Sequence, residues 1–203
     1  MIVQKMDTRT IKNIDVIEIL MRNIPKGMIL SEIRERLKLS QHPAHRKVKS
    51  LTESGILKRE KNLYFIDSSH PFVYPVFNFI HGLRYAYMMK NGFFKDLKEI
   101  ILSSEADIAI LFGSYARGEQ RNGSDIDVFL ADGKRIDFKK LEIIHFGEQK
   151  VSPIYATSSE LCDMLKEKKK LTIDLIKEGI IIKGCGDFYN IVFKAFENEY
   201  GKI

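Results

Sequence analysis

Two short apolar runs, Ile108 to Phe112 and Ile126 to Leu130, each have the length of a buried strand, and the residues around them restrict how the chain can turn. Residues 111–130 read LFGSYARGEQRNGSDIDVFL. The first run leads into Gly113-Ser114 and then a short predicted helix. Glycine lets backbone approach a ligand closely, and a serine at a helix start places a hydroxyl beside the first N–H groups, which favours anions. The second run is flanked and interrupted by Asp125 and Asp127. Residues two apart on a strand point to the same face, so these carboxylates stand side by side and repel unless a cation lies between them. An oxygen-only pair suits Mg²⁺, which takes one or two carboxylates together with substrate phosphates.

Gly113, Ser114, Ala116, Arg117 and Gly118 are followed, after a five-residue spacer, by Ser124, Asp125, Ile126 and Asp127. This resembles the signature of the minimal nucleotidyltransferases of the polymerase-β superfamily, GSxARGxxxxxSDID followed by apolar residues. The resemblance covers roughly residues 97–190 and includes the run KEGIIIKG at 177–184. It implies an α/β nucleotidyltransferase fold with a mixed sheet. It also implies transfer of a nucleoside monophosphate from a nucleoside triphosphate to an acceptor, with release of pyrophosphate. Asp125 and Asp127 would then be the catalytic residues and would hold Mg²⁺ or Mn²⁺. Gly113, Ser114, Arg117 and Ser124 would contact the nucleotide, with Arg121 a further phosphate contact and Arg117 equally suited to a structural ion pair.

The family carries a third acidic residue on its third strand. The matching run here, Lys150-Val151-Ser152-Pro153-Ile154, puts Ser152 at that place. That carboxylate normally helps hold a second metal and draws the proton from the acceptor hydroxyl. Ser152 does neither, and Glu148 is the nearest acid in sequence. The resemblance therefore leaves two outcomes: a transferase, or a nucleotide-sensing protein with weak or lost activity.

The net charge of +6 is unevenly spread. Residues 1–70 hold 14 Lys and Arg against 8 Asp and Glu, and the remainder 19 against 19. A basic segment joined to a neutral one points to a nucleic-acid-binding module at the N-terminus. Apolar periodicity at Ile14, Val16, Ile17, Ile19 and Leu20 predicts a helix over about 13–23, broken by Ile24-Pro25-Lys26-Gly27. Ser31 is the expected N-cap of a second helix with Ile33, Leu37 and Leu39 inward. Ser40 is expected to cap a third over about 41–54, with Pro43 in its first turn and Gly55 at its end. Ile56 to Glu60, a turn at Lys61-Asn62, and Leu63 to Ile66 predict a hairpin with a basic tip. Three helices and a basic hairpin resemble the winged helix-turn-helix of prokaryotic regulators. That resemblance implies that His45, Arg46 and Lys49, with His42 beside them, enter the major groove of double-stranded DNA, while Lys58, Arg59 and Lys61 touch phosphates.

The expected organisation is thus α+β with two domains: a winged helix over 1–70, an aromatic helical connector over 71–103, and a nucleotidyltransferase-like domain over 104–203. The connector holds Phe72, Tyr74, Phe77, Phe79, Tyr85, Tyr87, Phe93 and Phe94, with weak points at Gly82 and Asn91-Gly92. It is either a core helix or a homodimerisation element. Downstream, helices are expected from Phe138 to Ile144, from a cap at Ser158 or Ser159 to Leu165, from Leu171 to Ile176 and from Phe188 to Asn198. Strands are expected over Lys150 to Thr157 and near Ile180 to Lys183. Two cysteines without zinc spacing, no apolar run of spanning length and no signal-peptide layout predict a cytoplasmic protein off the membrane. Minimal nucleotidyltransferases also pair with small helical toxins, so an antitoxin-like role is a third expectation.

Overall fold

The computed structural model describes residues 12–145 and 149–197. They divide into two compact units, residues 12–77 and 78–197.

The first unit begins with α1 (Ile14–Met21), β1 (Met28–Ile29), α2 (Leu30–Arg36) and α3 (Gln41–Glu53). A hairpin follows, β2 (Leu57–Glu60) and β3 (Leu63–Ile66). The strands form one antiparallel sheet in the order β1-β3-β2. Val16, Ile17, Ile33, Ala44, Val48 and Leu51 are buried at helical spacing and form the core with Leu57 and Phe65. Gly55, at φ +81°, ends α3 in the left-handed conformation that glycine adopts without strain. Ser31 does not cap α2. The sheet draws Met28 and Ile29 against Tyr64 and Leu63, so the chain passes directly from strand to helix. Ile29 becomes the cap, its N–H donating to the Glu32 carboxylate (3.1 Å).

Helix α4 (Val73–Met88) contains the boundary between the units. The second unit continues with α5 (Gly92–Ser103), β4 (Ile108–Phe112), α6 (Gly113–Arg117), β5 (Ile126–Ala131), α7 (Lys139–Ile144) and β6 (Val151–Ala156). It closes with α8 (Ser158–Lys166), α9 (Lys170–Lys177), β7 (Ile180–Lys183) and α10 (Cys185–Ala195). Its mixed sheet has the order β6-β5-β4-β7, with β5 and β6 parallel and the other pairs antiparallel. Both faces are covered. Ala109, Leu111, Ile126, Val128 and Leu130 cluster with Phe93, Phe94, Leu97 and Ile101 of α5 and Leu141 of α7. The opposite face of β4 meets α9 and α10.

Asn91 breaks the aromatic segment as expected, its side chain accepting the Phe93 N–H (2.9 Å). Gly82 does not, and stays within α4. Phe77, Tyr85, Phe93 and Phe94 are buried, whereas Phe79, Leu83 and Tyr87 are exposed on α4. The cap of α8 is Thr157 rather than a serine. Its hydroxyl accepts the Glu160 N–H (3.1 Å), and the Glu160 carboxylate takes the Thr157 N–H (2.7 Å). Ser158 is engaged elsewhere, donating its N–H to Asp132 (2.9 Å). Helix α10 starts three residues before the expected Phe188, whose N–H already bonds to Gly184 O (2.9 Å). Cys185-Gly186-Asp187 lacks the apolar period that would reveal this turn. Its expected end at Asn198 lies outside the described residues. No helix of the described residues is long and apolar enough to cross a membrane.

Candidate functional site

The site is built where β4 ends and β5 begins. Antiparallel pairing puts Phe112 opposite Asp127, so the residue after Phe112 is carried to the Asp127 side chain. That residue is Gly113, at φ +71°. A Cβ there would lie 2.1 Å from Asp127 Oδ2. Only glycine allows this packing, because any side chain would occupy the space of the carboxylate and would strain the backbone. The polypeptide then turns at once into α6, carrying Ser114 into the first turn.

Asp125 lies one residue before β5, not on it, and is exposed, while Asp127 is half-buried. Backbone pairing begins at Ile126, whose N–H donates to Lys150 O (2.7 Å). The two carboxyls still sense each other. Asp127 is pushed above the ordinary carboxylate range first by burial and then by the Asp125 charge, with Arg117 opposing both. The ionised form of Asp127 is thus disfavoured where it stands. Among the described residues no group of three or more His, Cys, Asp or Glu side chains is placed to hold a metal.

The parallel β5–β6 pairing sets Ser152 beside Asp127, on the same face. Ser152 therefore occupies the sheet position next to the central carboxylate. β6 is an edge strand, which tolerates Pro153. The start of β6 is fixed from outside the sheet, the Val151 N–H donating to the Glu142 carboxylate (3.0 Å). Glu148 lies outside the described residues.

Arg117 is held by two carboxylates, Glu119 and Glu178, each at 2.8 Å. Both raise its already high pKa, Glu178 the more strongly. It is thereby fixed beside the aspartate pair as a bridged cation. The Ser124 hydroxyl accepts the Arg121 N–H (3.0 Å) and closes the turn that delivers Asp125. The residue that sequence reasoning passed over is Arg84 of α4. It donates to the carbonyls of Gly179 (2.7 Å), Glu178 (2.7 Å) and Ala116 (3.3 Å), tying the C-terminal ends of α9 and α6 together. His81 is its companion: Nδ1 accepts the Ile181 N–H (3.2 Å), so Nε2 carries the proton toward Tyr189 Oη (3.1 Å). Polar His81 and Arg84 share a helical face with apolar Tyr85 and Met88, and that mismatch was the available signal.

In the first unit, His42, His45, Arg46 and Lys49 are exposed on α3, opposite buried Ala44, Val48 and Leu51. Lys58, Arg59 and Lys61 are exposed on the hairpin. Lys49 pairs with Glu53 (3.7 Å) and Lys58 with Asp67 (2.9 Å). Burial raises the Asp67 carboxyl, but hydrogen bonds from Ser69 and Lys58 outweigh it and hold the group below its ordinary value.

Residues 95–185 match the family described as Polymerase beta, Nucleotidyltransferase. The matched stretch runs from α5 through the Gly-Ser turn, the aspartate pair and the β6 edge to the first residue of α10. The match supports a nucleotidyltransferase-like function for this unit, and members of the matched family typically use divalent metals. No curated protein matches the chain significantly, and no solved structure does.

Proposed function

We propose that residues 78–197 bind a nucleoside triphosphate through a divalent cation held by Asp125 and Asp127, and that onward transfer of the nucleoside monophosphate is weak. The observation that supports this reading is the Asp127 carboxylate resting on Gly113, the residue that opens the turn carrying Ser114. The donor set fits Mg²⁺ or Mn²⁺: two carboxylate oxygen donors that repel each other in the absence of a cation. Such an ion supplies charge neutralisation for the phosphates. In the transfer, an acceptor oxygen bonds to the α-phosphorus, the bond to pyrophosphate breaks, and the acceptor proton must go to a base. Asp125 and Asp127 serve as ligands, Gly113 and Ser114 line the phosphate side, and Arg117 sets the local field. Ser152 stands beside Asp127 but its hydroxyl is too weak a base for that proton, which limits the rate.

Thermal unfolding with Mg²⁺ and a triphosphate tests the assignment. At a hundredfold excess over Kd the ligand stabilises the native state by about 2.7 kcal/mol, a rise of several degrees in Tm. Asp125→Asn with Asp127→Asn should abolish the rise. An equal rise in the double variant overturns the assignment.

The first unit supports a second reading, recognition of double-stranded DNA by a winged helix. Its support is the helix–strand–helix–helix–hairpin order, the β1-β3-β2 sheet and the exposed basic residues on α3 and the hairpin. Duplex binding by the full chain should weaken about tenfold or more in Arg46→Ala with Lys49→Ala, and should fall steeply with salt. Duplex binding that is undetectable at low salt removes this reading.

A further inference from the structure

From Asn78 to Tyr87, within the second unit, α4 buries one face and turns the other to solvent. Ile80, His81 and Tyr85 are buried, while Asn78, Phe79, Gly82, Leu83, Ala86 and Tyr87 are exposed. Helical spacing sorts the exposed residues into two rows. Phe79, Leu83 and Tyr87, each four residues from the next, form a ridge of large side chains that are 52%, 55% and 74% exposed. Gly82 and Ala86, also four apart, form a furrow of small residues beside it.

The furrow is open. A Cβ added at Gly82 would meet nothing within 4 Å. Glycine weakens a helix interior relative to alanine, and no part of this chain fills the space that it leaves. The face also carries no exposed charge. Arg84 is the one charged residue between Asn78 and Tyr87, and it is turned onto the carbonyls of Glu178 and Gly179. An apolar ridge of this exposure is costly on a monomer surface.

We propose that this face is where two copies of the chain associate, helix against helix, about a two-fold axis. Such a contact uses the same patch twice, so the patch must complement itself. A ridge beside a furrow does so. With the axis running along the pair of helices, the ridge of each lies over the furrow of the other, and Leu83 enters between the partner's Gly82 and Ala86. Two-fold pairing also brings like residues near each other, which an uncharged face tolerates. Lys90, the first exposed charge beyond it, lies where crossing helices diverge. Size sets the strength. At about 200 Å² per aromatic side chain, Phe79 and Tyr87 together offer roughly 250 Å² in each copy. With Leu83 and the small residues, two copies bury on the order of 1,000 Å², the lower limit for a specific interface. The dimer therefore exchanges with monomer. The proposal stands apart from the nucleotide assignment, because neither aspartate lies on α4.

The test is sedimentation velocity of the full chain over about 1 to 100 μM. Wild type should pass from monomer to dimer mass across this range, as strongly at high salt as at low. Gly82→Leu fills the furrow from a position that is open in the monomer. It should weaken association tenfold or more, while the Tm of the monomer holds or rises, leucine being the better helix former. Leu83→Arg sets like charges together at the axis and should stay monomeric throughout, with unchanged circular dichroism. Tyr87→Phe keeps the ridge and should dimerise like wild type. A wild type that is monomeric at every concentration overturns the proposal. If that monomer also binds phosphatidylcholine vesicles, and Leu83→Arg does not, the face belongs to a lipid surface instead. A dimer that survives both Gly82→Leu and Leu83→Arg places the contact elsewhere and overturns it too.

Discussion

Strands β5 and β6 lie side by side in register, yet they hold their functional positions in different ways. β5 is central, with Ile126 and residues 128–131 buried, so Asp127 is the one polar interruption in an otherwise apolar strand. A carboxylate at such a place raises the energy of the fold unless something compensates it. The chain shapes the surroundings to suit, with Gly113 against the carboxylate, Asp125 adjacent and Arg117 bridged nearby. β6 is an edge, partly exposed, interrupted by Pro153 and anchored at its start by Glu142. A central strand thus keeps its chemistry because its neighbours are built around it, while an edge strand can exchange an acid for a hydroxyl with little structural consequence.

The sharpest way to break this comparison is at Gly113. Gly113→Ala places a methyl group on the Asp127 carboxylate and an L-residue at φ +71°. The left-handed backbone costs roughly 1–2 kcal/mol and the overlap a similar amount. Tm should fall on the order of 10 °C for a domain of this size, and the Mg²⁺–triphosphate rise should disappear with it. A variant that melts like wild type would show that Asp127 moves freely, and that the central strand is no more constrained than the edge.

A smaller effect is expected from restoring an acid to the edge. Ser152→Asp sets two carboxylates directly opposite on neighbouring strands, which destabilises by about 0.2–1 kcal/mol without metal. Metal-free Tm should drop by a few degrees at most, Mg²⁺ should recover more than that, and transfer should rise or appear. If transfer is already robust in wild type and unchanged in the variant, the edge position is not what limits the reaction.

How much of this was legible in the sequence follows the same contrast. Period-2 and helical patterns, with breaks such as Asn91-Gly92 and Gly55, placed most described elements within a few residues. The identities and spacing of Gly113, Ser114, Asp125 and Asp127 were enough by themselves to bring the motif together. The register that sets Ser152 beside Asp127 matched the expected alignment because β6 is a short parallel neighbour. Arg84, Glu178 and Gly179 were not legible as a group. Glu178 and Gly179 lie 94 and 95 residues beyond Arg84, and the contacts run from its side chain to backbone carbonyls, which leave no residue-type signature. The caps at Ile29 and Thr157 were displaced because strand pairing and the Asp132–Ser158 bonds, both long-range, decided between neighbouring candidates.

The smallest and most diagnostic effect is the pH dependence of Asp127→Asn. In the folded chain the Asp127 carboxyl sits above its ordinary value, raised by burial first and by Asp125 second. The native state therefore holds that proton more tightly than the unfolded chain does. Its contribution to stability is fully present below the ordinary carboxylate value and is lost as pH rises through the folded value. At pH 7 the ionised carboxylate is a net cost in metal-free protein, and removing its charge should raise Tm slightly. The advantage should vanish as pH falls below about 4, where both proteins are neutral at this position. Adding Mg²⁺ and a triphosphate should reverse the order, because only the wild type gains a ligand. A metal-free Asp127→Asn chain that melts below wild type at pH 7 would mean that Arg117 already compensates the charge. The central strand would then need no cation, and its difference from the edge strand would be one of packing alone.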